Sequence, residues 1–316
     1  MPGQRRPQTG ERRVTVSPPG CERRVTRRWL IGGGLTAAAA IIVGGVELVD
    51  HGELPGKHTL DELDGACAVP TPSESFRATG PTIAGRFYSR ARRREVGYAI
   101  AYPPDHQPGD RLPLGLFLHP DGANHRTLLG RTTPARALAG NTIAPLALVT
   151  FDGGDLYWNP HPNDDPMAMI TDEIVPMCRA RGLGQGNGAI AALGVSMGGF
   201  GALLLAEKHP ELLSCVAAIS PAVWTSYSEA KAVNRAAFAS AADFARDDVI
   251  THADKLTMAV RIASGSNDPF HPGVVALCRR LGPNATLDLT SGCHDTDFFA
   301  SQQQRSLQFL TQHLPG

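Results

Sequence analysis

The chain has 316 residues, 42% of them hydrophobic and 19% charged, with 30 basic side chains against 30 acidic ones. That length and apolar content suit one large or two modest domains, and exclude a wholly disordered chain, a collagen-like repeat or a small disulfide-held scaffold. Eight of the basic residues but only two of the acidic ones fall within residues 1–28, so a basic leader precedes a mildly acidic body and nucleic-acid binding through a broad basic face is excluded.

In the leader, Thr26-Arg27-Arg28-Trp29-Leu30-Ile31 is a twin-arginine pair followed by apolar residues, and no charge intervenes from Trp29 to Val46. A basic stretch leading into a weakly hydrophobic run reads as an export signal of the Tat type, with the Tat export machinery as its partner. The run of about 18 residues also just reaches the length of one spanning helix, so residues 29–46 read as a membrane anchor too. Both readings place the protein outside the cytoplasm, in the cell envelope or secreted. Residues 47–84, rich in Pro, Gly and acidic side chains without sustained periodicity, read as a tether. Residues 85–316 read as the folded domain.

From Gly85 onward, short apolar runs alternate with helical stretches. Arg86–Ser89 and Glu95–Tyr102 read as strands closed by Pro103-Pro104. Leu114–Leu118, Leu146–Phe151, Ala189–Val195, Cys215–Ile219, Met258–Ser264 and Thr286–Leu289 read as further strands, several of them continuous apolar runs of the kind covered on both faces. Helices are expected around Ala135–Leu138, Pro166–Arg181, Gly198–His209, Pro272–Leu281 and Phe298–His313. This alternation predicts an α/β fold with a mostly parallel, doubly wound sheet of about eight strands. The Ala-rich stretch Tyr227–Lys255 exceeds one crossover helix and is expected to cover the sheet edge or the site.

Gly194-Val195-Ser196-Met197-Gly198 matches G-x-S-x-G between an apolar strand and a helix, the context in which a serine is thrust above the sheet edge. A serine hydroxyl needs a base to take its proton and an acid to orient that base. Among the histidines that follow Ser196, His294 sits in the loop after the last strand, whereas His209, His252 and His313 lie at helical or insert positions. Asp268 follows the strand Met258–Ser264 and is the candidate acid, with Asp295 a weaker one. The oxyanion of acyl transfer also needs donors. The amide of Met197 is one candidate, and in the loop after the third strand Ala123 is the other, ahead of Gly122. His119 reads as a loop anchor rather than a second base.

Asp121-Gly122-Ala123, Phe151-Asp152-Gly153-Gly154 with Tyr157-Trp158, Gly194-Val195-Ser196-Met197-Gly198-Gly199 and Gly292-Cys293-His294-Asp295 together resemble the putative-esterase branch of the α/β-hydrolases. That branch includes S-formylglutathione hydrolases, feruloyl-type esterases and mycobacterial mycolyltransferases, and the likeness spans residues 85–313. It implies an α/β-hydrolase fold, a triad of Ser196, Asp268 and His294, and backbone donors at Ala123 and Met197. The chain departs from the branch at Cys293 and in the Asp164-Asp165 run. Mycolyltransferases often use Glu as the acid, so Asp268 leans toward ordinary esterases.

Tyr157, Trp158, Trp224, Phe270, Phe298 and Phe299 flank strand ends and are candidates to line an acyl pocket, with core packing the alternative for each. His161, Asp152, Asp155, Asp164 and Asp165 fit no metal-ligand spacing and read as a solvated acidic rim. No cofactor is implied. Six cysteines are present, none in C-x-x-C spacing, so a zinc site is not expected. The five beyond the leader leave at least one thiol without an internal partner, and Cys293 beside His294 is the one to watch, as a reactive thiol or a small buried side chain. The leading functional reading is an exported serine hydrolase of carboxylic esters, acting on a small-molecule, lipid or glycan ester. Alternatives are an acyltransferase that moves an acyl chain to a sugar hydroxyl, and a cell-surface binding protein that lost catalysis.

Overall fold

A computed structural model of the chain describes residues 65–69, 78–129, 134–283 and 285–315. The leader, with its twin-arginine pair and apolar run, and most of the expected tether lie outside the described residues. Among the described residues no helix is long and apolar enough to cross a membrane.

Eight strands form one sheet in the spatial order β1-β2-β4-β3-β5-β6-β7-β8. β1 (Thr82–Ser89) and β2 (Arg94–Ala101) make an antiparallel hairpin, and β2 is also antiparallel to β4 (Ala147–Phe151). β3 (Leu114–Leu118), β5 (Ile190–Val195), β6 (Cys215–Ile219), β7 (Ala259–Gly265) and β8 (Ala285–Thr290) join β4 in parallel pairing. β3, β4, β5 and β6 are buried at every residue, as their unbroken apolar sequences require in a sheet covered on both faces. The edges differ. β1 alternates exposed with half-buried residues, and β8 is mostly exposed.

Among the described residues the α-helices are α1 (Pro134–Ala137), α2 (Pro166–Met169), α3 (Val175–Arg179), α4 (Met197–Lys208), α5 (Tyr227–Val233), α6 (Ala241–Arg246), α7 (His271–Cys278) and α8 (Thr296–His313). The single helix expected over Pro166–Arg181 is interrupted by a π-turn at Ile170–Ile174. Pro176 has no N–H to give to the preceding turn, and the wider turn accommodates that gap. α4 is buried from Met197 to Glu207, in keeping with a helix that is apolar on all sides. The Tyr227–Lys255 stretch folds as α5, α6 and a short 3-10 turn at Ala253–Lys255. One apolar layer joins α4 to one face of the sheet, and a second packs α8 residues Phe298, Leu307 and Leu310 against the other.

Cys67 and Cys293 form a disulfide, with their Cα atoms 4.9 Å apart. Ser291 Oγ also donates to Ala66 O at 3.2 Å. Part of the stretch read as a tether is therefore bonded to the loop of His294, and Cys293 is neither a free nucleophile nor a bare packing group. Cys178, Cys215 and Cys278 are free thiols. Burial pushes the thiols of Cys178 and Cys215 up to about 12, which keeps them protonated and unreactive.

From β3 the chain crosses to β4 on one side, and β5 then enters on the other side of β3. Such a reversal opens a crevice at the carboxyl ends of the strands involved. The loop Leu118–Asn124 and the Ser196 turn both leave the sheet there.

Candidate active site

Ser196 is buried between β5 and α4, with φ 54° and ψ −119°. An L-residue reaches that region only at a cost of about 1–3 kcal/mol, so the surroundings must impose it. Ser196 N donates to Ile219 O at 2.9 Å, and its carbonyl accepts from Phe200 N and Ala222 N at 3.1 Å each. Two glycines make the turn sterically feasible. A Cβ on Gly194 would strike the Gly198 carbonyl, and one on Gly198 would strike the Leu118 carbonyl.

His294 follows β8 and Asp268 follows β7, as the sequence placed them. His294 Nε2 lies 2.8 Å from Ser196 Oγ, and His294 Nδ1 lies 2.8 Å from Asp268 Oδ2. The Asp268 side chain has no solvent exposure, and its other oxygen accepts from Phe270 N at 2.8 Å. The imidazole is held between two rings, Phe270 at 5.0 Å and Phe299 at 4.9 Å, both edge-on. Asp295, the weaker candidate acid, caps α8 by accepting from Phe298 N at 2.8 Å. The other candidate bases are engaged elsewhere: His209 with Glu211, His252 with Glu207 and His313 with Phe309 O.

Met197 is the first residue of α4, so its amide has no acceptor within the helix and sits at the helix's positive end. The Ala123 amide, expected to face the same point, closes a turn by donating to Pro120 O at 3.2 Å. The Gly122 amide donates to Asp155 Oδ1 at 3.2 Å. Both donors are therefore occupied, Ala123 by the closed turn that a Pro-Asp-Gly sequence favours and Gly122 by a carboxylate from the loop after β4. His119 anchors this loop. Gly153 N donates to its Nε2 at 2.9 Å, so its proton resides on Nδ1, which lies 2.8 Å from Pro120 O. Burial lowers its pKa and keeps it neutral. Burial and the Asp155 charge raise the carboxyl of Asp121 above the ordinary range.

The aromatic residues divide. Tyr157, Trp158 and Trp224 are 3%, 0% and 5% exposed, and they belong to the core rather than to an open pocket. Trp158 packs edge-on against Phe151 and tilts against His119; Tyr157 packs tilted against Trp224, with centroids 4.9 Å apart. Large rings beside a strand end satisfy the core first, and the sequence carries no signal that separates this from lining a cleft. Phe270 is half-buried and touches His294.

The acidic loop holds specific partners. Asp164 receives the buried Arg92 through both oxygens, and Arg94 as well. Asp165 caps α2 through Ala168 N. Asp152 accepts from Gly97 N at 2.9 Å, from His125 N at 2.9 Å and from the His125 ring at 2.6 Å. Burial drives the Asp152 carboxyl upward, but these bonds outweigh it and hold its pKa below the usual value. Cys67, bonded to the residue before His294, is the contributor to this region that sequence reasoning missed. Only its lack of a nearby cysteine partner hinted at a long-range bond.

A family model described as "Putative esterase" matches residues 89–277. Among solved structures, the chain is similar to an S-formylglutathione hydrolase from Agrobacterium tumefaciens, with TM-score 0.61, 18% identity, and coverage of 77% of this chain and 99% of that one. It is similar to a ferulic acid esterase from Anaeromyces mucronatus, solved with ferulic acid, at TM-score 0.55 and 14% identity, over 77% of this chain and 94% of that one. It is also similar to Mycobacterium tuberculosis MPT51, at TM-score 0.57 and 18% identity, over 78% of this chain and all of that one. At these identities the likenesses establish the fold, which is that of the α/β-hydrolases. A search among curated proteins finds no matching sequence.

Proposed function

Because the chain belongs to the putative-esterase family, we propose that it is an exported serine hydrolase that cleaves carboxylic esters through an acyl-enzyme. The observation that carries this reading is the relay from Ser196 Oγ through His294 to Asp268 Oδ2, with 2.8 Å at both contacts. Ser196 Oγ attacks the ester carbonyl while His294 Nε2 takes its proton. Asp268 fixes the tautomer that leaves Nε2 free to accept, and stabilises the imidazolium that forms. The Met197 amide receives the oxyanion. Ala123 joins it as the anion develops, because a charged acceptor draws an N–H more strongly than the neutral Pro120 carbonyl does. His294 returns the proton to the departing alcohol, and water then releases the acid by the same steps.

Export rests on the leader and on the Cys67–Cys293 bond, since structural disulfides persist in oxidising compartments. Fractionating cells that express the full chain tests it: recovery in the cytoplasm alone would overturn it. Transfer to a sugar hydroxyl would use the same residues and differ only in what intercepts the acyl-enzyme.

The mechanism is tested with p-nitrophenyl esters and a fluorophosphonate label, applied to the wild type and to Ser196→Ala. The wild type is expected to label and turn over, and the variant to do neither while keeping its Tm. Folded wild type that neither labels nor hydrolyses any ester would favour the binding protein instead.

A further inference from the structure

With Tyr157, Trp158 and Trp224 taken up by the core, the substrate's acyl group must go elsewhere. A cavity of about 170 Å³ is lined by neighbours of the relay residues rather than by the relay itself. Val195 immediately precedes Ser196, Pro120 stands in the loop that carries the Ala123 amide, and Phe299 is one of the two rings packed against His294. Phe117 at the end of β3 adds a second ring. Two larger cavities, of about 470 and 260 Å³, are lined by other segments, around Arg280 and around Arg246. Neither includes a residue of the relay or one adjacent to it.

We propose that the cavity bounded by Phe117, Pro120, Val195 and Phe299 is the acyl subsite, and that it selects neutral, apolar acyl groups of about six carbons or one aromatic ring. This rests on Ser196 being the nucleophile. The acyl carbon forms its new bond to Ser196 Oγ as the bond to the alcohol oxygen breaks, and the proton passes through His294 Nε2 to that oxygen. The acyl group then stays covalently held until water attacks, whereas the alcohol must depart between the two steps. A recess lined by Val195, the residue before the nucleophile, and by Phe299, which packs on His294, suits the part that stays.

Chemistry and size narrow the occupant. The lining contains no ionisable side chain, so a charged acyl group would lose its hydration without compensation. A dry cavity of about 150 Å³ accommodates a benzene ring, which sets the scale for this one. Thr127, Pro134, Thr296 and Gln303 complete the wall; Thr296 is the first residue of α8, and Gln303 lies two turns further on. Thr296 and Gln303 are positions at which the volume can be changed without replacing a residue of the relay.

The test uses the full chain and two ester series, one lengthening the acyl group of p-nitrophenyl esters from acetate to dodecanoate and the other lengthening the alcohol of acetate esters. The expected result is a kcat/KM that climbs roughly fourfold per methylene up to about six acyl carbons and then falls, with a flat alcohol series. Thr296→Trp should lower the hexanoate-to-acetate ratio by at least about tenfold, and Gln303→Ala should move the optimum to longer chains. Fluorophosphonate labelling of each variant reports that the serine remains reactive. Labelled, active variants whose acyl preference matches the wild type would overturn the subsite, as would selectivity confined to the alcohol series. A wild type that neither labels nor hydrolyses would instead overturn the functional reading on which the subsite rests.

Discussion

Asp268 spends both carboxylate oxygens on two donors, the Phe270 amide and the His294 ring. In Asp268→Asn the amide group can present N–H to the imidazole and invert its tautomer, so kcat/KM should fall on the order of 10⁴-fold while Tm stays within a few degrees. Steady-state kinetics on a p-nitrophenyl ester, run beside a melting curve, checks this. His119 carries a different signature. Its pKa is lowered from the ordinary 6.5 by burial, so below that value the unfolded chain binds a proton that the folded one refuses. The stabilisation is complete above pH 6.5 and declines as the pH falls through the lowered value. Tm should therefore drop between pH 7 and 5, and the slope should be shallower in His119→Gln. The three residues of the relay could be read from the sequence because each stands just past a strand end, where few roles compete. The aromatic rings could not, since an indole beside a strand end looks the same whether it packs inward or faces a ligand.

The turn between β5 and α4 depends on closeness between backbones. Gly198 rests against the carbonyl of Leu118, which ties the serine turn to the end of β3. Gly198→Ala must separate them, at a cost of about 3 kcal/mol, and should reduce labelling of Ser196 as well as the midpoint of urea unfolding. Arg92 plays the analogous part on the hairpin side. Its guanidinium is 4% exposed and binds Asp164, while Nη1 also donates to the Asp152 carbonyl, so it joins the hairpin to the loop after β4. Arg92→Met would leave the Asp164 carboxylate with Arg94 alone, and unfolding should be easier by about 1.5–3 kcal/mol, the value of hydrogen bonds to a charged group. This pairing accounts for Asp164, and the cap of α2 for Asp165, in a run that the sequence presented as a solvated rim. A charge pair separated by 72 positions leaves no local pattern to find.

Across the molecule, the parallel strands announced themselves because burial on both faces demands uninterrupted apolar sequence, as in Cys215–Ile219 and Leu114–Leu118. The outer strands did so less well. β1 begins at Thr82 rather than Arg86, because an edge strand half in solvent tolerates Thr, Gly and Arg. β8 extends one residue further at each end than its apolar pattern indicated. The disulfide was beyond such reasoning, since its cysteines are 226 positions apart. Cys67→Ser combined with Cys293→Ser should cost about 2–4 kcal/mol, read as a fall in Tm that dithiothreitol reproduces in the wild type. The bond also means that the amino-terminal part of the chain is joined to the body by two covalent routes, one through peptide bonds and one through sulfur. A protease nick anywhere from residue 70 to residue 77 would then release nothing by itself, and the cut protein would run as one band until a thiol divided it in two.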